Sequence, residues 1–176
     1  MEIQANCKCG KQHIFTSEVI VKEGALLELP RLMKQYSAKK VFLVADKNTY
    51  AAAGKAVAEI VENEKVKVVK CIFEEDALEP DEHSVGRAIM YYESDCDVGI
   101  GVGSGVINDI SKIVANVSGK TYMIVATAPS MDGYASATSS MSRDGVKVSL
   151  NSRCADVIIG DTDILKTAPD HMLRSG

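Results

Sequence analysis

What this 176-residue chain is short of narrows its function before any motif is read. No apolar run approaches the roughly 20 residues that carry a helix across a bilayer, so the sequence gives no sign of a membrane partner. No run of lysines and arginines offsets a formal net charge of −4, which argues against a nucleic-acid binder held by phosphate neutralisation. The start, "MEIQANCKCG", lacks the basic flank and apolar stretch of a secretory signal. The cysteines are an odd five, Cys7, Cys9, Cys71, Cys96 and Cys154, widely scattered. That spacing gives no disulfide framework and predicts a cytoplasmic chain with reduced thiols. Histidine is scarcer still, with three residues. "CKCGKQH" groups Cys7, Cys9 and His13, but a closed structural zinc site takes four ligands, usually with a second pair elsewhere, and the sequence has none. A turn around Gly10 is the expectation there. His83 falls on a polar helical stretch and reads as a surface residue, His171 is given no role, and Cys154 carries no sign of activation.

What is present is an ordinary globular composition, 46% hydrophobic and 25% charged, long enough for one domain with a core of its own. Strand-like and helix-like segments alternate. "EVIVKEG" (18–24), "KKVFLVAD" (39–46), "KVKVVKCIFEE" (65–75), "CDVGIGVG" (96–103) and "KTYMIVAT" (120–127) read as strands, and the near-continuous apolar run of 39–46 suits a strand buried on both faces. Between them, 24–36, 51–64 and 79–94 read as helical. Val57, Ile60 and Val61 form one stripe, and Val85, Ala88, Ile89 and Tyr92 another. Pro80 suits a first helical turn. After residue 103, Val106, Ile107, Ile110, Ile113, Val114 and Val117 share a helical face. The expected fold class is α/β: a Rossmann-like, mainly parallel sheet with helices on both faces. Asp144–Gly145 between β-prone flanks adds a β-hairpin. "CADVIIGD" (154–161) is a further buried strand, and "DTDILKTAP" a short helix. No repeat or linker divides the chain, so residues 1–176 read as one nucleotide-binding domain that stops before a closing element.

Three stretches carry chemistry. "GVGSGVINDISK" (101–112) places glycines at the end of a strand and the start of a helix, where open α/β sheets bind ligands. Gly103 and Gly105 let the backbone bend and a ligand approach, and the first helical amides then face a phosphate or diphosphate. Ser104 adds a hydroxyl. The spacing is not the Gly-x-Gly-x-x-Gly of the ordinary dinucleotide fold, and no lysine follows as in a P-loop; a turn with no ligand is equally compatible. "LVAD" ends a strand on Asp46, a residue type that hydrogen-bonds ribose hydroxyls there or simply caps the next turn. Lys47 beside it can accept a 2′-phosphate, which leaves NAD and NADP open. "ATAPSMDGYAS" offers the hydroxyls of Thr127, Ser130 and Ser136 and the lone carboxylate of Asp132. Turn-forming residues that satisfy their own backbone are the plain alternative, favoured for Ser136 and not for Asp132.

Together, "CKCGKQH", "VADKNTY", "GVGSGVINDISK", "VATAPSMDGYAS" and "DTDILKTAPDHMLRSG" resemble the iron-containing or polyol dehydrogenase superfamily, in order and along nearly the whole chain. That superfamily includes glycerol dehydrogenase and dehydroquinate synthase. "APSMDGYAS" is the most specific string and is similar to the glycerol-1-phosphate dehydrogenase branch. The resemblance implies a nucleotide-binding domain followed by a helical metal domain, and reduction of dihydroxyacetone phosphate to sn-glycerol 1-phosphate with NAD(P)H. It implies that Asp46 touches the adenosine ribose, and that Gly103, Ser104, Gly105, Val106 and Ile107 hold the pyrophosphate. It further places Thr127, Ser130 and Ser136 at the nicotinamide half and Asp132 at the small phosphorylated polyol substrate. Ser104 departs from the family's usual glycine. The family's zinc or nickel is held by an Asp shortly after "RSG" and by two later histidines, so those ligands are expected beyond Gly176, in a full-length homodimer. This chain alone is then expected to be inactive. A glycerol-dehydrogenase-like enzyme, a dehydroquinate-synthase-like cyclase and a non-catalytic nucleotide-binding module are the competing readings.

Overall fold

The computed structural model describes residues 3–6 and 12–175. A small antiparallel pair, β1 (Ile3–Asn6) and β2 (Gln12–Phe15), opens the chain; Cys7, Cys9 and the turn expected around Gly10 lie outside the described residues. The main sheet contains β3 (Glu18–Lys22), β4 (Lys40–Asp46), β5 (Lys67–Phe73), β6 (Val98–Gly103) and β7 (Thr121–Ala126). A hairpin of β8 (Thr138–Arg143) and β9 (Val146–Asn151) follows, and β10 (Val157–Asp161) returns to the main sheet. The six strands lie in the order β3-β10-β7-β6-β4-β5, and all their pairings are parallel.

Parallel neighbours need crossovers, and helices supply them on both faces. On one face lie α1 (Leu29–Gln35) and α3 (Lys55–Asn63), the latter entered from α2 (Lys47–Thr49) through a π turn at Tyr50–Gly54. Leu29, Leu32, Val57 and Val61 pack there against Val41, Leu43 and Ala45 of β4. On the other face α4 (Glu82–Tyr91) and α5 (Gly105–Ser118) cover Phe42 and Val44. Alternate residues of one buried strand thus feed two cores, as the pleat requires. Two short helices end the chain, α6 (Thr162–Leu165) and α7 (Asp170–Ser175).

Most elements match the sequence expectation, with two corrections. Pro80 is not in the first turn of α4. Asp81 caps that helix in a reciprocal box with Ser84, and the Pro80 carbonyl accepts from the Ser142 amide of the hairpin at 2.8 Å. The buried arc of α5 is also rotated from the apolar stripe. Val117 is 71% exposed, while Asn108, Ser111 and Lys112 are buried. At about 100° per residue, that arc centres near Ser111, because α5 is covered on one side by the sheet and on the other by the 128–138 loop and β8. The Asp144–Gly145 turn forms as expected, both residues left-handed at φ 53° and 75°.

Candidate nucleotide-binding site

The chain runs outward from β4 to the edge strand β5, then reverses through β6, β7 and β10. The helices that follow β4 and β6 therefore leave to opposite faces, and a crevice opens between the C-terminal ends of these two neighbours. That switch point is where open α/β sheets take ligands. Asp46 ends β4 and Ser104 follows β6, so two of the sequence candidates flank it. A cleft of about 350 Å³ there is lined by Asp46, Asn48, Thr49, Ser104 and Thr127. The rest of its wall is Ala52 together with Thr167, Ala168, Pro169 and Met172 from the segment after β10, to which the sequence assigned a short helix but no place in the site.

Ser104 is the N-cap residue of α5, and its side chain makes no capping bond. Its backbone, at φ −106° and ψ −150°, is extended, so the position that departs from the family's glycine does not require the left-handed region. The Asn108 amide bonds the Ser104 carbonyl at 2.9 Å. The amides of Gly105, Val106 and Ile107 precede that first helical bond and have no partner within the helix. Fourteen residues of aligned peptide dipoles stand behind them.

Packing by itself calls for the two glycines. A Cβ on Gly103 would lie 2.5 Å from Cβ of Ile107, and one on Gly105 would lie 2.6 Å from Cε of Met131. Neither has positive φ. Gly103 lets the first turn of α5 press against the strand it leaves.

Asp46 has two faces. Oδ1 accepts from the amides of Asn48 at 2.8 Å and Thr49 at 2.9 Å, while Thr49 Oγ1 accepts from the Asp46 amide at 3.1 Å. The capping alternative is thus realised, and the half-buried carboxylate still borders the cleft. Lys47 is drawn into an ion pair with Asp76.

The 128–138 loop emerges beside this turn because β7 pairs with β6. The Thr127 amide donates to the Gly103 carbonyl at 3.1 Å. The Tyr134 hydroxyl lies 3.0 Å from the Ala128 carbonyl oxygen and 3.3 Å from that of Gly103, and burial pushes its pKa up to about 12. Ser136 Oγ accepts from the Thr138 amide at 3.1 Å and lies 2.9 Å from Thr138 Oγ1, a local turn. Ser130 is half-buried and Asp132 exposed. Beneath the loop, Asn108 and Lys112 reach its carbonyls. These two and Tyr134 were missed as site-building residues; the one available signal was a second, polar stripe along α5 (Asn108, Ser111, Lys112) at i, i+3, i+4 spacing.

A parallel α/β sheet with a glycine-rich turn at its switch point belongs to the nucleotide-binding class of folds. A family model described as iron-containing alcohol dehydrogenase matches residues 20–169, and the chain belongs to that family. Among similar proteins, a glycerol-1-phosphate dehydrogenase [NAD(P)+] of Halalkalibacterium halodurans is 33% identical over 179 residues, covering 99% of this chain and 45% of the relative. The corresponding protein of Geobacillus thermodenitrificans is 30% identical over 172 residues, covering 95% and 43%. This chain thus spans less than half the length of these curated relatives. The crystal structure of glycerol dehydrogenase from Schizosaccharomyces pombe superposes with a TM-score of 0.81 at 24% identity, over 94% of this chain and 42% of that one; it shows the shared fold.

The chemistry of the observed site suits a dinucleotide: helix amides without an intrahelical partner, a carboxylate across the crevice and a cleft between them. The family's metal does not fit the described residues. Among them no three His, Cys, Asp or Glu side chains form a group able to hold a metal ion. Among the described residues, too, no helix is long and apolar enough to cross a membrane, and Cys71, Cys96 and Cys154 are free thiols.

Proposed function

We propose that this chain is the N-terminal, NAD(P)-binding half of an oxidoreductase that interconverts dihydroxyacetone phosphate and sn-glycerol 1-phosphate. The observation that carries the reading is the α5 N-terminus, left without a side-chain cap at the sheet's switch point and faced by Asp46. Family membership and the similarity to glycerol-1-phosphate dehydrogenases support the reaction class.

In this reading the amides of the 103–107 turn bind the diphosphate, with no cationic side chain required. Asp46 accepts from adenosine ribose hydroxyls. Thr127, Ser130 and Ser136 meet the nicotinamide half, which for Ser136 requires its hydroxyl to leave the Thr138 turn. Asp132, exposed and without a hydrogen-bond partner for its carboxylate among the described residues, accepts from substrate hydroxyls. The bound nicotinamide supplies the hydride; the protein orients it.

The test is a titration of this chain with NADH, followed by nicotinamide fluorescence, with ADP as competitor. Saturable enhancement reversed by ADP is expected, with no turnover of dihydroxyacetone phosphate by the chain alone. Absence of any saturable response to either nucleotide would overturn the reading.

A further inference from the structure

Lysine is the residue least expected at a fully buried helical position, yet Lys112 is 0% exposed. Its Nζ donates to the carbonyl oxygens of Gly133 at 2.7 Å and Thr138 at 3.0 Å, and lies 3.9 Å from Asp109 Oδ1. One turn earlier on α5, Asn108 Nδ2 donates to the same Gly133 oxygen at 3.1 Å, while its Oδ1 accepts from the buried Tyr122 hydroxyl at 3.1 Å. Two side chains one turn apart thus converge on a single loop carbonyl. Burial holds the ammonium's pKa below the ordinary lysine range, with Asp109 opposing that shift.

An apolar side chain would fill this space without the desolvation that a buried ammonium suffers. What the ammonium adds is direction: three donors on one atom tie two carbonyls five residues apart in sequence to one point on α5. Gly133 and Thr138 bracket the turn that holds Tyr134 and Ser136, and Asp132 immediately precedes it. α5 is also the helix whose first turn faces the cleft. One rigid element therefore carries the diphosphate amides at its N-terminus and the loop anchor two turns later.

We propose that Lys112 is a positioning residue that fixes the 128–138 loop relative to the α5 N-terminus, so that the loop meets the nicotinamide half of the cofactor. This rests on the function proposed above. It separates the two halves of the cofactor: ADP engages only Asp46 and the α5 turn, whereas NADH also needs the loop.

The experiment compares wild type, K112M and K112R for NADH affinity, ADP affinity and amide hydrogen exchange across residues 129–138. For K112M the expected result is NADH binding about tenfold weaker, equivalent to one hydrogen bond to a charged group. ADP binding should stay unchanged, loop exchange should become faster, and K112R should restore part of the NADH affinity. K112Q, which keeps one amide donor, serves if K112M does not fold. NADH and ADP affinities falling together, or loop exchange unchanged in the variant, would overturn the proposal. If wild type binds neither nucleotide, the functional reading fails, while the exchange data still decide whether Lys112 anchors the loop.

Discussion

The turn that ends β4 and the turn that ends β6 lie side by side at one sheet edge and dispose of their helix amides in opposite ways. Asp46 takes the amides of Asn48 and Thr49 onto its own carboxylate. The turn after β10 behaves similarly: Asp161 accepts from Asp163 at 3.0 Å and from Gly24 and Leu26 at 3.2 and 3.1 Å. At the β6 turn, Ser104 leaves its helix uncapped, although serine caps about as well as aspartate. The difference is therefore not a lack of capping chemistry. Two turns carry a built-in anion, which repels another; under the proposed function, the third keeps its donors for an anion from outside.

Converting the third turn into the other kind is the sharpest way to break this contrast. An S104D substitution supplies a carboxylate to the amides of α5. Stability should rise by about 0.5–1 kcal/mol from the cap and the helix dipole. NADH affinity should fall about 100-fold, because charge-assisted bonds worth roughly 1.5–3 kcal/mol are lost to an internal competitor. Thermal unfolding and fluorescence titration read the two effects with opposite sign. NADH affinity equal to wild type would remove the α5 turn from the site.

The glycines of that turn permit a smaller, graded test. G103A drives a methyl to within 2.5 Å of Ile107 Cβ, an atom fixed close to the backbone. Overpacking of this kind costs about 1–3 kcal/mol, and it displaces the first turn of α5, so NADH binding should weaken with stability. G105A meets Met131 Cε at 2.6 Å, the free end of a flexible side chain. Its cost should stay below about 1 kcal/mol. Denaturant midpoints of the two variants check the order; equal destabilisation would mean that Met131 is as fixed as Ile107.

What the sequence revealed of this contrast follows from the range of each interaction. The strand–helix alternation, the Asp144–Gly145 hairpin and the placement of Asp46 and Ser104 at strand ends are local patterns, readable at period 2 or 3.6. The crevice between them is not local. It exists because β6 pairs with β4 and not with β5, its neighbour in sequence, and no motif states that choice. The reason for Gly103 was likewise hidden, since its contact is with a side chain four residues on that packs only once α5 forms. The roles of Lys112 and Asn108 are not local either, because their partners, the carbonyls of Gly133 and Thr138, lie in a loop and at the start of β8, more than twenty residues away. Tyr134 was concealed in the same loop, among residues that signal turns.

The mildest test separates the two jobs of Asp46. Asparagine caps helices about as well as aspartate, so D46N should keep the bonds to Asn48 and Thr49 and change stability by less than about 0.5 kcal/mol. Ribose hydroxyls then lose a charged acceptor, and NADH affinity should fall about five- to tenfold, the difference between a charge-assisted and a neutral hydrogen bond. NADPH should fall less or gain, since its 2′-phosphate no longer meets a carboxylate. D46A removes the cap as well and should lose about 1 kcal/mol. Titrating both nucleotides against each variant, with unfolding midpoints alongside, distinguishes a carboxylate that only closes its own turn from one that also faces ribose. If D46N binds NADH and NADPH as wild type does, the β4 turn is structural alone, and the ligand is held by α5 without it.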